Sequence, residues 1–284
     1  MVRHPPAPAS GWLPVSPCGA GCHPPSDGAS VRVALVLSRL CGLAAVLVVT
    51  LVGVALLPGG ARARWLCASY RAALRCSGVR LRVAGELGDG GELIAVNHLS
   101  WIEVLAVGTL RPLRMVAKRE MGDWPVIGGI ARRSGALFVD RAGLRGLPAT
   151  VVATADALRA GADVAVFPEG TTWCGAAAGP FRRAVFQAAI DAGAPVRPVA
   201  VVLRLPNGER ATAAAFIGEQ TLWDSLMRVL RLPGLDCELT ILPALPPSSD
   251  RRELARRAGD AIAAVTEVPH PVVRRRRERA PLAA

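Results

Sequence analysis

Lysine is almost absent from this 284-residue chain: Lys118 is the only one, although Lys and Arg together number 34. A Walker A loop needs a lysine after a glycine, and Lys118 follows Ala117, so that phosphate-binding engine is excluded. The sequence also lacks G-x-S-x-G, H-E-x-x-H and a G-x-G-x-x-G after a strand, which removes serine-elbow hydrolases, zincin-type proteases and dinucleotide binding. Aromatic residues make up only 4%, so Ala, Val and Leu must fill the core, and base-stacking platforms are missing. Nucleic acid is therefore a poor partner despite the net charge of +12; no binding motif accompanies that charge. The positive charge still favours anionic partners, and a mean hydropathy of +0.35 tilts the choice toward membrane lipids.

Histidine is scarce too. His4 and His23 fall in a Pro/Gly-rich stretch, and His270 lies between prolines near the other end, so His98 is the histidine expected inside the folded region. The seven cysteines, at 18, 22, 41, 67, 76, 174 and 237, are odd in number and widely spaced, which argues against a disulfide framework and for a reducing compartment. Cys18, Cys22 and His23 form a C-x3-C-H cluster, one residue longer than haem-attachment spacing. With no other clustered ligands in the sequence, it reads as coincidence, and no metal is expected.

What the chain does contain is organised in four stretches. Residues 1–30, rich in Pro and Gly, read as a disordered tail; one interpretation is a start assigned too far upstream, with the native N-terminus near Val31. Residues 31–77 read as a membrane-anchoring helical segment. Its uncharged run Leu40–Leu57 corresponds to about 27 Å of helix against a hydrocarbon core of about 30 Å, so it either spans or embeds in one leaflet. A buried core helix and a signal peptide are the rival readings. Arginines flank both ends, giving a weak lean toward a cytoplasmic C-terminal domain. Residues 78–268 alternate strand-like and helix-like pieces, which predicts an α/β domain with a mostly parallel sheet flanked by helices. Strands are expected at 79–83, 93–97, 113–117, 136–139, 164–167, 196–203 and 238–242, and helices at 100–108, 148–160, 181–192, 222–230 and 250–265. Residues 269–284 form a basic, disordered tail suited to anionic lipid or to plain solvation.

The chemistry concentrates around His98. The run ELIAVNHLSWIEVLAV ends a strand at Asn97 and starts a helix near Ser100, placing His98 at a strand C-terminus, where open α/β sheets hold ligands. Glu103 can reach back to orient the imidazole, as the acid of a triad does. Equally, Ser100-Trp101-Ile102-Glu103 is an S-x-x-E capping box, in which Glu103 would bond the Ser100 amide. The segment alone leaves both roles open. With no Ser or Cys nucleophile nearby, the histidine would act on a substrate hydroxyl.

Four segments in order, NHLSWIE at 97–103, GALFVDR at 135–141, VFPEGTT at 166–172 and APVRPVAV at 194–201, resemble the blocks of the glycerolipid (lysophosphatidate-type) acyltransferases. The linkers Lys118-Arg119-Glu120 and Trp124–Gly128 are similar to that family as well, and the resemblance covers roughly residues 60–245. It implies that His98 is the general base for direct transfer of a fatty acyl group from acyl-CoA or acyl carrier protein to a lysophospholipid hydroxyl, most simply 1-acyl-glycerol-3-phosphate, giving phosphatidate. It further implies Lys118 and Arg141 as phosphate ligands and Glu169, Gly170 and Thr171 as the acceptor-binding edge, with Pro198 structural. No metal or cofactor beyond the acyl donor is implied. The expected location is the inner membrane, with the catalytic domain on the cytoplasmic side. Two departures stand out. The family's first block ends in Asp where this chain has Glu103, an extension of about 1.5 Å. Arg-Ser after E-G-T is replaced by Thr172-Trp173, as in branches that acylate lyso-ornithine lipids. A different lysolipid acceptor and a catalytically silent lipid-binding member are therefore the alternatives.

Overall fold

The structure, a computed structural model, describes residues 14–23, 31–140 and 146–271. Arg141 and the basic tail lie outside the described residues.

An apolar helix α1 (Val33–Leu56) is followed, across Leu57-Pro58, by α2 (Gly59–Cys76). The segment expected as one anchoring unit is thus two helices packed as an antiparallel hairpin. Glycines on α1 make the groove: a side chain at Gly53 would collide with the Trp65 ring, and one at Gly42 would press on Cys76 Sγ. Among the described residues, only α1 is long and apolar enough to cross a membrane, and little of it is buried, with Leu37, Leu47, Val48, Val52 and Leu56 exposed. α2 carries Arg62, Arg64, Arg71 and Arg75 around a buried stripe of Leu66, Ser69 and Leu74. The hairpin is tied down at its base. Arg39, buried on α1, donates from Nη1 to the carbonyls of Leu230 (2.8 Å) and Leu232 (2.7 Å).

The domain then runs β1 (Val79–Ala84), β2 (Leu93–Val96), α3 (Ile102–Gly108), β3 (Arg114–Lys118), α4 (Arg119–Gly122), α5 (Ile127–Arg133), β4 (Leu137–Val139) and α6 (Leu147–Arg159). It continues with β5 (Val164–Val166), α7 (Ala184–Ala192), β6 (Val196–Arg204), α8 (Leu222–Leu230), β7 (Leu235–Ile241) and α9 (Arg251–Thr266). The described strands form one seven-stranded sheet in the order β1-β7-β6-β2-β5-β3-β4. Every neighbouring pair is parallel except β6–β7. The mostly parallel α/β sheet expected from the alternation is present, and most element ends fall within a few residues of expectation. β7 begins earlier, at Leu235 rather than 238, and α4 and α5 are additional.

The central strands LIAV and VAV are buried throughout, as continuous apolar runs covered on both faces should be. Alternation divides β2 between two cores. Ile94 and Val96 face the side packed by α3, with Ile102, Ala106 and Val107, while Leu93 and Ala95 face α6, α7 and α9, with Leu158, Phe186, Leu254 and Ile262. At the sheet edge, β1 exposes Arg80 and Arg82, and both pair with Asp236 of β7, which discourages further strand addition.

The described stretches at the two chain ends, 14–23 and 269–271, pack on the domain, where disordered tails are expected. Within residues 1–30, the described stretch 14–23 packs on the domain, with Cys18 buried beside Trp173, Cys174, Ala215 and Ile217. His23 bonds the Thr212 carbonyl through Nδ1 (3.2 Å) and Gln220 through Nε2 (2.9 Å). At the other end, His270 is buried against Phe181 and bonds the Gly179 carbonyl (2.8 Å). Composition averages over a window, so it cannot register a few apolar or thiol side chains that find pockets in a distant loop. His98 is therefore not the one histidine in contact with the domain.

Arg39→Met keeps the apolar stem but leaves the Leu230 and Leu232 carbonyls without their charged donor. Charge-assisted bonds of this kind contribute about 1.5–3 kcal/mol, so denaturant unfolding in detergent should show a loss of about 2 kcal/mol.

Candidate active site

The four parallel strands β2, β5, β3 and β4 lie side by side, so their C-terminal ends line one edge of the sheet. His98 follows β2, Glu169 follows β5 and Lys118 closes β3. Leu93, Val164 and Arg114 share a row, and four residues further along each strand are Asn97, Pro168 and Lys118. The parallel register therefore gathers residues far apart in sequence, although Lys118 stands two strands from His98 and its Nζ sits over the Trp124 ring, 5.1 Å from the centroid. The phosphate-binding role expected for Arg141 falls outside the described residues, just past β4.

Asn97 closes the end of β2 by gripping β6. Its Nδ2 donates to the Val201 carbonyl (2.9 Å) and its Oδ1 accepts from the Val201 amide (2.8 Å), so its side chain continues the ladder where the backbone leaves it. The next residue turns its ring away from that clamp. His98 Nδ1 lies 2.7 Å from Glu103 Oε1, and the ring stacks on Phe167 with centroids 4.4 Å apart. Facing a carboxylate, Nδ1 carries the proton and leaves Nε2 as the free, basic nitrogen. His98 remains 16% exposed and Glu103 is fully buried, so solvent can reach the imidazole but not the carboxylate behind it.

Glu103 is placed for both roles that its spacing allowed. Oε1 also accepts from the amides of Leu99 (2.7 Å) and Ser100 (2.6 Å), the latter being the carboxylate half of a capping box. The reciprocal half is missing: Ser100 Oγ has no partner among the described residues, and the helix carries no side-chain cap. Three donors therefore converge on one oxygen, and the longer Glu side chain reaches the imidazole at hydrogen-bond distance.

Glu169 occupies a position different from an open acceptor-binding edge. It is 2% exposed, and its oxygens accept from the His98 amide (2.5 Å) and the Gly179 amide (2.9 Å). It braces the backbone of His98. Burial pushes its carboxyl up to about 8 against the pull of those two amides, with the nearby Glu103 adding to the rise. His270 Nδ1 is 3.7 Å from Glu169 Oε1, and burial lowers the basicity of this imidazole. Gly170 turns the chain at φ +75°, a conformation suited to glycine, and a Cβ there would strike Pro14. Beyond the half-buried Thr171, Thr172 Oγ1 donates to the Phe216 carbonyl and the Trp173 amide to the His98 carbonyl (2.8 Å), so the residue that follows the E-G-T-T block holds the His98 backbone from a second side. Phe167, Asn97 and His270 carry no signal in the sequence beyond lying in or near the blocks.

The chain matches the Acyltransferase family over residues 79–202, a span that includes Asn97, His98, Glu103 and Glu169. It is 34% identical over 200 residues to a lyso-ornithine lipid O-acyltransferase of Pseudomonas aeruginosa, covering 70% of this chain and 76% of that one. It is 31% identical over 236 residues to a 1-acyl-sn-glycerol-3-phosphate acyltransferase of Neisseria gonorrhoeae, covering 81% and 92%. This chain belongs to the acyltransferase family. Its fold is that of the 1-acyl-sn-glycerophosphate acyltransferase PlsC from Thermotoga maritima, with a TM-score of 0.64 at 19% identity over 82% of this chain and 94% of the other. As an acyltransferase of lysophospholipid or glycerolipid acceptors, it needs a base beside the acceptor hydroxyl, and the exposed side of the His98 ring is chemically suited to that task.

Glu103→Gln retains an oxygen for the Leu99 and Ser100 amides but removes the carboxylate facing His98. The expected result is a fall of about 10²-fold or more in kcat with little change in melting temperature. A second prediction concerns Glu169. Its carboxyl is raised from an ordinary value near 4.5 to about 8, so the folded state holds the proton more tightly than the unfolded chain. The stability this contributes is intact at pH below about 4.5 and is lost as pH rises toward about 8. In paired melts across that window, Glu169→Gln should lack this decline, while the His270 titration remains common to both proteins.

Proposed function

We propose that the protein transfers a fatty acyl group from the thioester of acyl-CoA or acyl carrier protein to the free hydroxyl of a lysophospholipid, with 1-acyl-glycerol-3-phosphate as acceptor and phosphatidate as product. The observation that carries this reading is the His98–Glu103 pair at the end of β2, with the imidazole partly open and the carboxylate sealed behind it. His98 Nε2 takes the hydroxyl proton as the oxygen attacks the thioester carbonyl. A carbon–oxygen bond forms, the tetrahedral species collapses, the carbon–sulfur bond breaks, and the imidazolium returns its proton to the departing thiolate. No acyl-enzyme is required, and Glu103 stabilises the transient imidazolium. Lys118 and Arg141, at and just past the ends of adjacent strands, supply the cations for the acceptor phosphate. The apolar face of α1 and the basic surface suit a membrane-bound enzyme, which we place at the inner membrane with its site toward the cytoplasm.

A second reading, acylation of a lyso-ornithine lipid, is favoured by Thr172-Trp173. Thr172 donates to the Phe216 carbonyl and the Trp173 amide holds the His98 carbonyl, and neither residue brings the positive charge that a bare phosphomonoester would use. The two readings separate in one experiment. Purified protein in detergent is given an acyl-CoA with lysophosphatidic acid or lyso-ornithine lipid, and free thiol is followed. Release should depend on His98, falling at least about 10²-fold in His98→Ala with the fold retained. Arg141→Ala should raise KM for lysophosphatidic acid far more than for the aminolipid. Release with lyso-ornithine lipid alone would select the second reading, and turnover undiminished in His98→Ala would overturn the mechanism.

A further inference from the structure

The C-x3-C-H cluster, dismissed on sequence grounds for want of further ligands, acquires one in three dimensions. Cys174, on the loop after Glu169, brings its sulfur to those of Cys18 and Cys22, and all three sulfur atoms lie within 4.8 Å of one another. They come from segments more than 150 residues apart, so chain proximity does not explain the grouping.

Three features of the cluster speak to what it holds. The first is number: a disulfide joins two sulfurs and leaves the third without a role, whereas a thiophilic ion engages all three. The second is spacing. A tetrahedral zinc–sulfur bond of about 2.3 Å sets ligand sulfurs about 3.8 Å apart, so closure onto an ion asks each pair to move by about an ångström at most. The third is the surroundings. Cys18 and Cys174 are buried and Cys22 is half-buried, in a pocket lined by Trp173, Ala215 and Ile217. The short 3-10 turn Ala20–Cys22 supplies the remaining geometry by bringing Cys22 back toward Cys18. His23 is occupied by Thr212 and Gln220, so the fourth position falls to water or an outside ligand.

We propose that Cys18, Cys22 and Cys174 form a three-thiolate site for a thiophilic divalent cation of the zinc class. Binding releases the thiol protons to solvent, and the charge of the ion is met by the thiolates. The site clips residues 14–23 onto the loop whose Trp173 amide holds the His98 carbonyl, with Pro14 lying against Gly170. Its role is structural: it fixes the segment that covers the E-G-T-T turn, and it does not depend on which lysolipid is the acceptor.

The test uses the full-length protein, reduced, incubated with Zn2+, passed over a chelating resin and analysed by elemental mass spectrometry. Wild type should retain one zinc per chain. Cys22→Ser, at the half-exposed position least able to disturb folding, and Cys174→Ser should each lower retention at least about tenfold. A Cys41→Ser, Cys67→Ser double variant should keep it. Loaded with Co2+ instead, wild type should show thiolate-to-cobalt charge-transfer absorption that Cys22→Ser lacks, with circular dichroism unchanged. A wild-type protein that leaves the resin without zinc, or zinc held equally by Cys22→Ser, would overturn the site.

Discussion

Glu103 Oε1 accepts from the Leu99 and Ser100 amides while facing His98 Nδ1, and the geometry of the catalytic corner depends on that convergence. A carboxylate buried without partners is costly, so the loop between β2 and α3 must fold tightly enough to present two amides and an imidazole to one atom. The same contacts that make burial tolerable start the helix and set the tautomer of the imidazole. Capping the helix and orienting the ring are usually weighed as rivals for one side chain; here they are a single arrangement. The spare methylene of Glu relative to Asp lets the carboxylate reach the imidazole from a position inside the first helical turn.

Around this corner, the backbone of His98 is held from both sides. Its amide binds Glu169 and its carbonyl binds the Trp173 amide, while Asn97 is locked to β6. The imidazole itself stays partly exposed. A side chain fixed this way has little freedom left to lose, which is the entropic part of positioning. The parallel sheet makes the arrangement possible, since strands β2, β5, β3 and β4 deliver their C-terminal residues to one edge.

Much of the domain was legible in the sequence, for definite reasons. Runs such as LIAV and VAV between turn signals mark buried parallel strands, and the helices α6, α8 and α9 show clean amphipathic spacing. His98 could be found by its place at a strand end, and Glu103 by its spacing from it. The other partners of His98 could not. Phe167 stacks on it from another strand, and Glu169 braces its backbone through contacts that only the sheet order creates. The division of 31–77 into two helices was hidden because hydropathy records the apolar run but not the glycine notches that receive Trp65 and Cys76. Cys174 stands alone in sequence, so its approach to Cys18 and Cys22 is a property of the tertiary fold.

The base of the helical hairpin has a geometric consequence. Arg39 is fastened to the Leu230 and Leu232 carbonyls near the start of α1, and α2 runs straight into β1, so both stems are fixed to one body. A loop of chain with both stems fixed this way reaches out from the domain and returns to it on one side. Its reach, from Arg39 to the Leu57-Pro58 bend, is about 27 Å of helix.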